Sequence, residues 1–329
     1  MATMKDVAEL AGVSLGTVSR VINKAQGIKP QTLEKVNAAI EKLNYIPDQY
    51  ARGMKLNRTN TVALIVPTIW HPFFGEFAYH VEQELSRLDY KMLLCNSAGP
   101  EKEAEYIKML QQNKVDGIIA ITYSSIEEFL SSGIPFVSFD RVFPGMDIAY
   151  VASDNKVGAE IAAKTLIEKG CTHFGFVGAH NETENETKKR RQYFEKTIVD
   201  AGYKISILDE EEPVPNLKGK IREFLIANPT IDGIFTINDF AALDVIEVAE
   251  DLGIKVPEDL QIIGYDGIKM ALERQYVVST IKQPLEEMSK KAVELILDII
   301  DDKEHTRQYL IPGYYVEGKT TKKKNKNIY

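Results

Sequence analysis

Two cysteines, one tryptophan and five histidines are spread thinly over 329 residues, and that scarcity excludes several chemistries. Cys95 and Cys171 each stand alone in apolar, strand-like surroundings, so no disulfide framework is expected and both read as reduced core residues. His173, His180 and His305 lack metal-ligand spacing, and His80 falls inside a helical pattern at a surface or interface, so no resident metal is expected. No apolar run is long enough to cross a membrane. The chain has no G-x-G-x-x-G after a strand, no G-x-x-x-x-G-K-[ST], and no Ser or Cys paired recognisably with a base. These absences point away from an enzyme: neither a cofactor nor a catalytic residue is expected.

Charge is unevenly placed. The chain carries −8 in total, yet residues 1–60 hold nine basic against five acidic side chains, a net of +4 that leaves −12 for the remainder. A basic end on an acidic body confines nucleic-acid contact to that end. The N-terminus is polar and helical, without a secretory leader, and a cytoplasmic location is expected. A periplasmic or extracellular sugar-binding protein would share the body described below but would need such a leader.

The basic end reads as a helix-turn-helix. Thr3 and Asp6 form a capping box, Ala8 permits close helix approach, and Gly12 supplies a positive φ after the first helix. Ser14 caps a second helix with Val18, Val21 and Ile22 inward. Its opening and outward positions, Ser14, Leu15, Gly16, Thr17, Ser19, Arg20 and Asn23, are the candidate DNA-contacting set: most can hydrogen-bond to phosphates and base edges, Leu15 can touch a thymine methyl, and Gly16 adds no side chain. A third helix places Leu33, Val36, Ile40 and Leu43 toward a small core. Asn44-Tyr45-Ile46-Pro47 stops it, and 48–56 is a short segment that Gly53 keeps from persisting alone as a helix.

From Thr61 onward apolar runs at 62–66, 91–95, 117–121, 136–139, 174–177, 204–208, 233–236 and 261–264 alternate with amphipathic stretches at 75–88, 102–112, 158–169, 188–201 and 241–252. Such alternation predicts a doubly wound parallel α/β body. The pattern runs twice, breaking near Asp154, and an Asp-Gly turn precedes a strand in each half (VDGII, IDGIF). Two similar lobes follow, with ligands expected at the carboxyl ends of the strands, in the cleft between them. Asn238 and Asp239 follow one strand, Tyr265 and Asp266 another, and Gln283 lies in a crossover. Asp239 and Asp154 read as helix caps, and Arg191 as a solvated neighbour of Arg190.

Across DVAELAGVSLGTVSRVIN, NYIPDQYARGM, FTINDFAALDVIEVAEDLGIKVPEDLQIIGYDG and STIKQP the chain resembles the lac repressor (LacI/GalR) family. Within it the pattern is similar to sucrose and other oligosaccharide operon repressors of Gram-positive bacteria. The resemblance implies a dimeric, sequence-specific regulator binding operator DNA and a small sugar or sugar-phosphate. It implies DNA contacts near the hinge, with Tyr45, Arg52 and Met54 as candidates and Met54 in place of the usual leucine wedge. Trp70-His71-Pro72-Phe73-Phe74 is similar to the family's Asn-Pro-Phe-Phe loop, with His71 for Asn and with Phe73 and Phe74 able to stack on a sugar face. Asp140 matches the family's hydroxyl-accepting acid and Arg190 its effector-site arginine. With Asn238, Tyr265, Asp266 and Gln283 these form the candidate ligand set, whose carboxylates, guanidinium and amides suit a polyhydroxylated molecule. No aromatic platform occurs in 210–217, which favours a sugar over a purine.

The expected division is a head at 1–46, a hinge at 47–59 and a body at 60–318, followed by a disordered basic tail at 319–329. Lobe 1 takes about 60–156 and 284–312, lobe 2 about 157–283 and 313–318. The tail lacks leucine heptads, so a dimer is expected rather than a coiled-coil tetramer. The competing readings are a global carbon-catabolite regulator controlled by a phosphorylated partner protein, a sugar-binding protein that does not bind DNA, and an enzyme on the same fold.

Overall fold

The computed structural model describes residues 2–23, 25–46, 58–97, 99–130, 133–181, 183, 185–269 and 274–323. It divides into two compact units between Thr59 and Asn60. Arg52, Gly53 and Met54, and with them the hinge expected at 48–56, lie outside the described residues.

The N-terminal unit holds α1 (Met4–Ala11), α2 (Leu15–Ile22) and α3 (Pro30–Lys42). Both halves of the capping box form: Asp6 N donates to Thr3 Oγ1 at 3.3 Å and Thr3 N to Asp6 Oδ2 at 2.7 Å. Gly12 ends α1 at φ 66°, and Ser14 Oγ accepts from Thr17 N at 3.2 Å to start α2. Val7, Ala11, Val18, Val21, Val36 and Ala39 fill the core. Two expectations change here. Leu33 sits in the first turn of α3, before the buried stripe centred on Val36 and Ala39, and is 42 % exposed. Tyr45, expected at the DNA surface, is buried in the head core instead, because the chain turns back after α3 with Tyr45 N bonded to Ile40 O.

Among the described residues the second unit carries twelve strands in two six-stranded sheets. The first is ordered β11-β5-β4-β3-β1-β2, from β1 (Thr61–Val66), β2 (Lys91–Asn96), β3 (Gly117–Ala120), β4 (Phe136–Phe139), β5 (Ala149–Ser153) and β11 (Gln308–Ile311). The second is ordered β12-β10-β9-β8-β6-β7, from β6 (His173–His180), β7 (Lys204–Glu211), β8 (Gly233–Thr236), β9 (Gln261–Asp266), β10 (Ser279–Lys282) and β12 (Tyr314–Val316). All neighbours are parallel except β12, which runs antiparallel to β10. The order 5-4-3-1-2 therefore recurs as 10-9-8-6-7, the doubled α/β pattern expected. The four strands not expected from sequence, β5, β10, β11 and β12, carry too little apolar sequence to announce themselves.

Helices α4 (Pro72–Arg87), α5 (Pro100–Gln112), α6 (Glu127–Leu130), α7 (Asn155–Glu168), α8 (Lys188–Asp200), α9 (Leu217–Ala227), α10 (Asp239–Asp251) and α11 (Leu285–Ile300) follow the strands. Buried Phe77, Val81 and Leu85 of α4 pack with Met288, Val293 and Ile296 of α11 on the first sheet. Phe194 and Ile198 of α8 pack with Ala159 and Ala163 of α7 on the second. The chain passes between the sheets three times: after β5, after β10 and between β11 and β12.

The stretch after Gly318, expected to be disordered, docks on the second sheet as far as it is described. Thr320 and Thr321 are buried; Thr320 Oγ1 accepts from Ser279 N at 2.8 Å and donates to Ile262 O at 2.7 Å. Lys322 N donates to Gln261 Oε1 at 2.9 Å. The cause is backbone satisfaction, since buried polar groups at this sheet margin take their partners from the incoming segment. Thr320→Val leaves those two groups unpaired and is expected to cost about 1–3 kcal/mol. Urea unfolding checks it, and a midpoint equal to that of the unaltered protein would deny the docking any stabilising role.

Candidate functional site

In the head, the candidate reading surface is presented by α2. Leu15, Gly16, Arg20 and Asn23 are exposed, while Thr17 and Ser19 are partly covered. Ser14 serves first as the helix cap, and its hydroxyl also lies 2.9 Å from Thr17 Oγ1. Arg20 Nη2 donates to Gln26 O at 3.1 Å, which fixes the guanidinium at the helix end. Asn23 is the C-cap residue, with Nδ2 at 3.4 Å from Ser19 Oγ. Polar side chains of this kind on an otherwise unpartnered helix face can engage phosphates and base edges.

In the body, a cavity of about 420 Å³ is lined from both sheets at the carboxyl ends of their strands. Of the nine candidate ligand residues, His71, Phe73, Phe74, Asp140, Arg190, Asn238, Asp266 and Gln283 line it. The ninth, Tyr265, does not. It is fully buried behind Arg190, whose guanidinium lies 3.7 Å from the ring centroid, and its hydroxyl lies 3.0 Å from Ser153 Oγ. Tyr265 is a platform for Arg190 because its strand, β9, runs along the interior of the sheet with that side chain facing the core.

Arg190 is the hub. Nε donates to Asn155 Oδ1 and Nη1 to Ile237 O, each at 2.7 Å, and Nη1 lies 3.6 Å from Asp266 Oδ1. Asp140 and Asp266 approach this arginine from the two lobes. They follow or end β4 and β9, which hold equivalent places in the two sheets, and both have positive φ, 63° and 107°. Asp140 Oδ2 accepts from Thr187 Oγ1 at 2.5 Å, and Asp266 Oδ1 accepts from Gln283 Nε2 at 2.8 Å. Burial pushes both carboxyls up to about 6 against the pull of Arg190.

The remaining wall is less charged. His71 caps α4 by accepting from Phe73 N at 3.3 Å on Nδ1, so Nε2 carries the proton. Burial lowers its pKa and keeps it neutral. Its ring stacks edge-on against Phe240 at 4.7 Å, a contact between lobes. Phe73 belongs mainly to the first-lobe core and Phe74 packs at that core's edge. Asn238, not Asp239, caps α10 through Ala241 N at 2.8 Å. Asp239 is buried outside the cavity wall, accepts from Ile268 N at 2.7 Å, and is pushed up to about 8 by burial and by the charge of Asp266. Asp154 caps α7 as expected. Arg191 is not merely solvated: it lines the cavity and donates to Asp209 Oδ2 at 2.9 Å. Asn155, Tyr123, His180, Asn185, Thr187, Asp209 and Glu212 complete the site and were not singled out from sequence.

Comparison with known proteins agrees with this geometry. Residues 3–48 match the family described as bacterial regulatory proteins, lacI family, and residues 163–321 match a periplasmic binding protein-like domain. The chain is 37 % identical over 324 residues to the sucrose operon repressor of Pediococcus pentosaceus, covering 96 % of this chain and 98 % of that one. It is 34 % identical to the ribose operon repressor of Halalkalibacterium halodurans, covering 98 % of each. A solved complex of the transcriptional regulator CelR with cellobiose superposes with a TM-score of 0.72 at 26 % identity, covering 97 % of this chain and 100 % of that one.

The cleft acids make stability depend on pH. Asp140 and Asp266 have folded-state values near 6, above the ordinary 3.8, so folding takes up protons between those limits. Their stabilising contribution is complete below about 4 and is lost as pH rises through 6. The ligand-free melting temperature, corrected for other groups by comparison with Asp140→Asn and Asp266→Asn, is expected to fall between about pH 4 and 6. Both variants should flatten that slope, and a slope identical in all three proteins would mean that these acids do not titrate as described.

Proposed function

The chain belongs to the lacI family of bacterial regulatory proteins, and from that premise we propose that it is a sequence-specific repressor of a carbohydrate operon whose effector is a sugar held in the body cleft. The head, residues 1–46, reads operator DNA through Leu15, Thr17, Ser19, Arg20 and Asn23 on α2. The segment 47–59 links it to the body, and two copies bind the two half-sites of an operator.

The observation that carries the effector reading is the meeting of Arg190 with carboxylates from both lobes. A polyol has hydroxyls that both donate and accept. Asp140 and Asp266 accept from it, Arg190 donates to it, and the amides of Asn238 and Gln283 do either. Among the described residues Arg190 Nη2 donates no hydrogen bond to the protein, whereas Nε and Nη1 do, so it is the donor left for ligand. His71 adds Nε2–H, and Phe74 offers an apolar face to the carbon side of a ring. A ligand touching both lobes favours the lobe arrangement in which all these groups engage. It changes operator affinity only by its differential affinity for the two arrangements, and the coupling is reciprocal.

The names of the relatives, a sucrose and a ribose operon repressor, support a sugar that releases the operator. Two variants separate the functions. Arg20→Ala should weaken operator binding by about tenfold or more, the loss of about 1–3 kcal/mol for a bidentate base contact, while sugar binding is unchanged. Arg190→Ala should bind operator normally and fail to respond to sugar. Fluorescence anisotropy of labelled operator with and without sugar reads both. A fully responsive Arg190→Ala would remove the cleft from the mechanism, and tighter operator binding in the presence of sugar would reverse the regulatory sign.

A further inference from the structure

The cleft extends beyond Arg190. Successive helical residues point about 100° apart, so the adjacent arginines of α8 serve different ends of the cavity. Arg190 reaches the ends of β8 and β9, at Ile237 and Asp266. Arg191 reaches β7, where Nη1 donates to Asp209 Oδ2 at 2.9 Å. His180 Nδ1, from the end of β6, lies 3.2 Å from the other oxygen of that carboxylate. All three of these outer residues line the same cavity as the inner ones. In the order β9-β8-β6-β7, three interstrand steps separate Asp266 from Asp209, or about 14 Å at ordinary sheet spacing. One pyranose ring is shorter than that span, and two linked rings match it.

Charge limits the ligand as well. The cavity wall holds Asp140, Asp209, Glu212 and Asp266 against Lys188, Arg190 and Arg191. Arg190 has Asp266 beside it and Arg191 has Asp209, so neither guanidinium offers the uncompensated charge that a phosphate group seeks. The outer pair joins a half-exposed Arg191 to a nearly buried Asp209, at the cavity wall rather than in either hydrophobic core. What the cluster does offer is a fixed set of donors and acceptors facing the outer half of the cavity.

We infer that the effector is an uncharged carbohydrate of at least two rings, one held among Asp140, Arg190 and Asp266 and the next against the His180–Asp209–Arg191 cluster. This rests on the carbohydrate reading above and narrows it. Calorimetric titration of the full-length protein tests it with sucrose, cellobiose and maltose, with glucose and ribose, and with glucose 6-phosphate and sucrose 6-phosphate. At least one neutral disaccharide should bind tenfold or more tighter than either monosaccharide or either phosphate. Asp209→Asn and Arg191→Gln should weaken that disaccharide at least fivefold and leave monosaccharide binding within twofold. His180→Ala, at a partly exposed side chain, repeats the measurement should either variant fold poorly. A monosaccharide or a phosphorylated sugar binding as tightly as any neutral disaccharide would overturn the inference, and so would outer-cluster variants that bind the disaccharide unchanged. In those cases the carbohydrate reading stands. Silence across the whole panel would overturn that reading and this inference together.

Discussion

A buried guanidinium is the constraint around which the body is arranged. Arg190 is 5 % exposed, and a cation so placed is costly unless its hydrogen bonds and counter-charges are supplied. Asn155 and the Ile237 carbonyl hold Nε and Nη1, Tyr265 lies flat beneath, and Asp266 stands 3.6 Å away. Each partner has its own requirement. Tyr265 can occupy its place only because Gly158 on α7 has no side chain: a Cβ there would fall 2.6 Å from the tyrosine hydroxyl. Asp266 is steadied by Gln283, which lies on the crossover out of β10. The arginine thus ties α7, α8, β8, β9 and one lobe crossover into a single rigid support.

Repetition of the sheet order explains how two acids come to face one cation. β4 and β9 are equivalent strands, and the chain leaves each through an aspartate with positive φ. Aspartate tolerates the left-handed region better than most residues, but φ 107° at Asp266 lies beyond its usual minimum and stores strain at the cavity wall. Three passages of the chain between the sheets join the two lobes on either side of the cleft.

Much of this was legible in the sequence, and the failures have a common cause. The helix-turn-helix signals are local (Thr3, Asp6, Gly12, Ser14), and each does in the fold what its chemistry suggests. The alternation of apolar runs and amphipathic helices carried the two-lobed body, and eight of nine candidate cleft residues line the cavity. The misses gather at strand ends. Apolar character stops at Val177 and Leu208, yet the β6–β7 ladder continues to His180 and Glu211. Asp209 and His180 lie in that polar extension, where hydropathy no longer reports the strand but backbone pairing persists. Asn155 was missed for a related reason, because α7 begins there, three residues before the amphipathic stretch expected at 158–169. Tyr265 shows the opposite error: position after a strand suggested ligand contact, while its size and burial made it a support.

The acids proposed to read the ligand are held at an electrostatic cost, and on that proposal recognition is linked to regulation. With pKa values near 6, Asp140 and Asp266 are mostly ionised at neutral pH in a site whose burial opposes ionisation. One arginine balances one of them. Hydroxyls that donate to both carboxylates replace the missing hydration and relieve the repulsion, so the ligand recovers free energy that folding left unspent. That recovery is available only when both lobes present their acids to one molecule. On the proposed mechanism, a ligand reaching Asp266 alone would favour neither arrangement of the lobes and would leave operator affinity unchanged. On that mechanism, contact with both carboxylates at once, more than tightness of binding, would separate an effector from a silent ligand in this cleft.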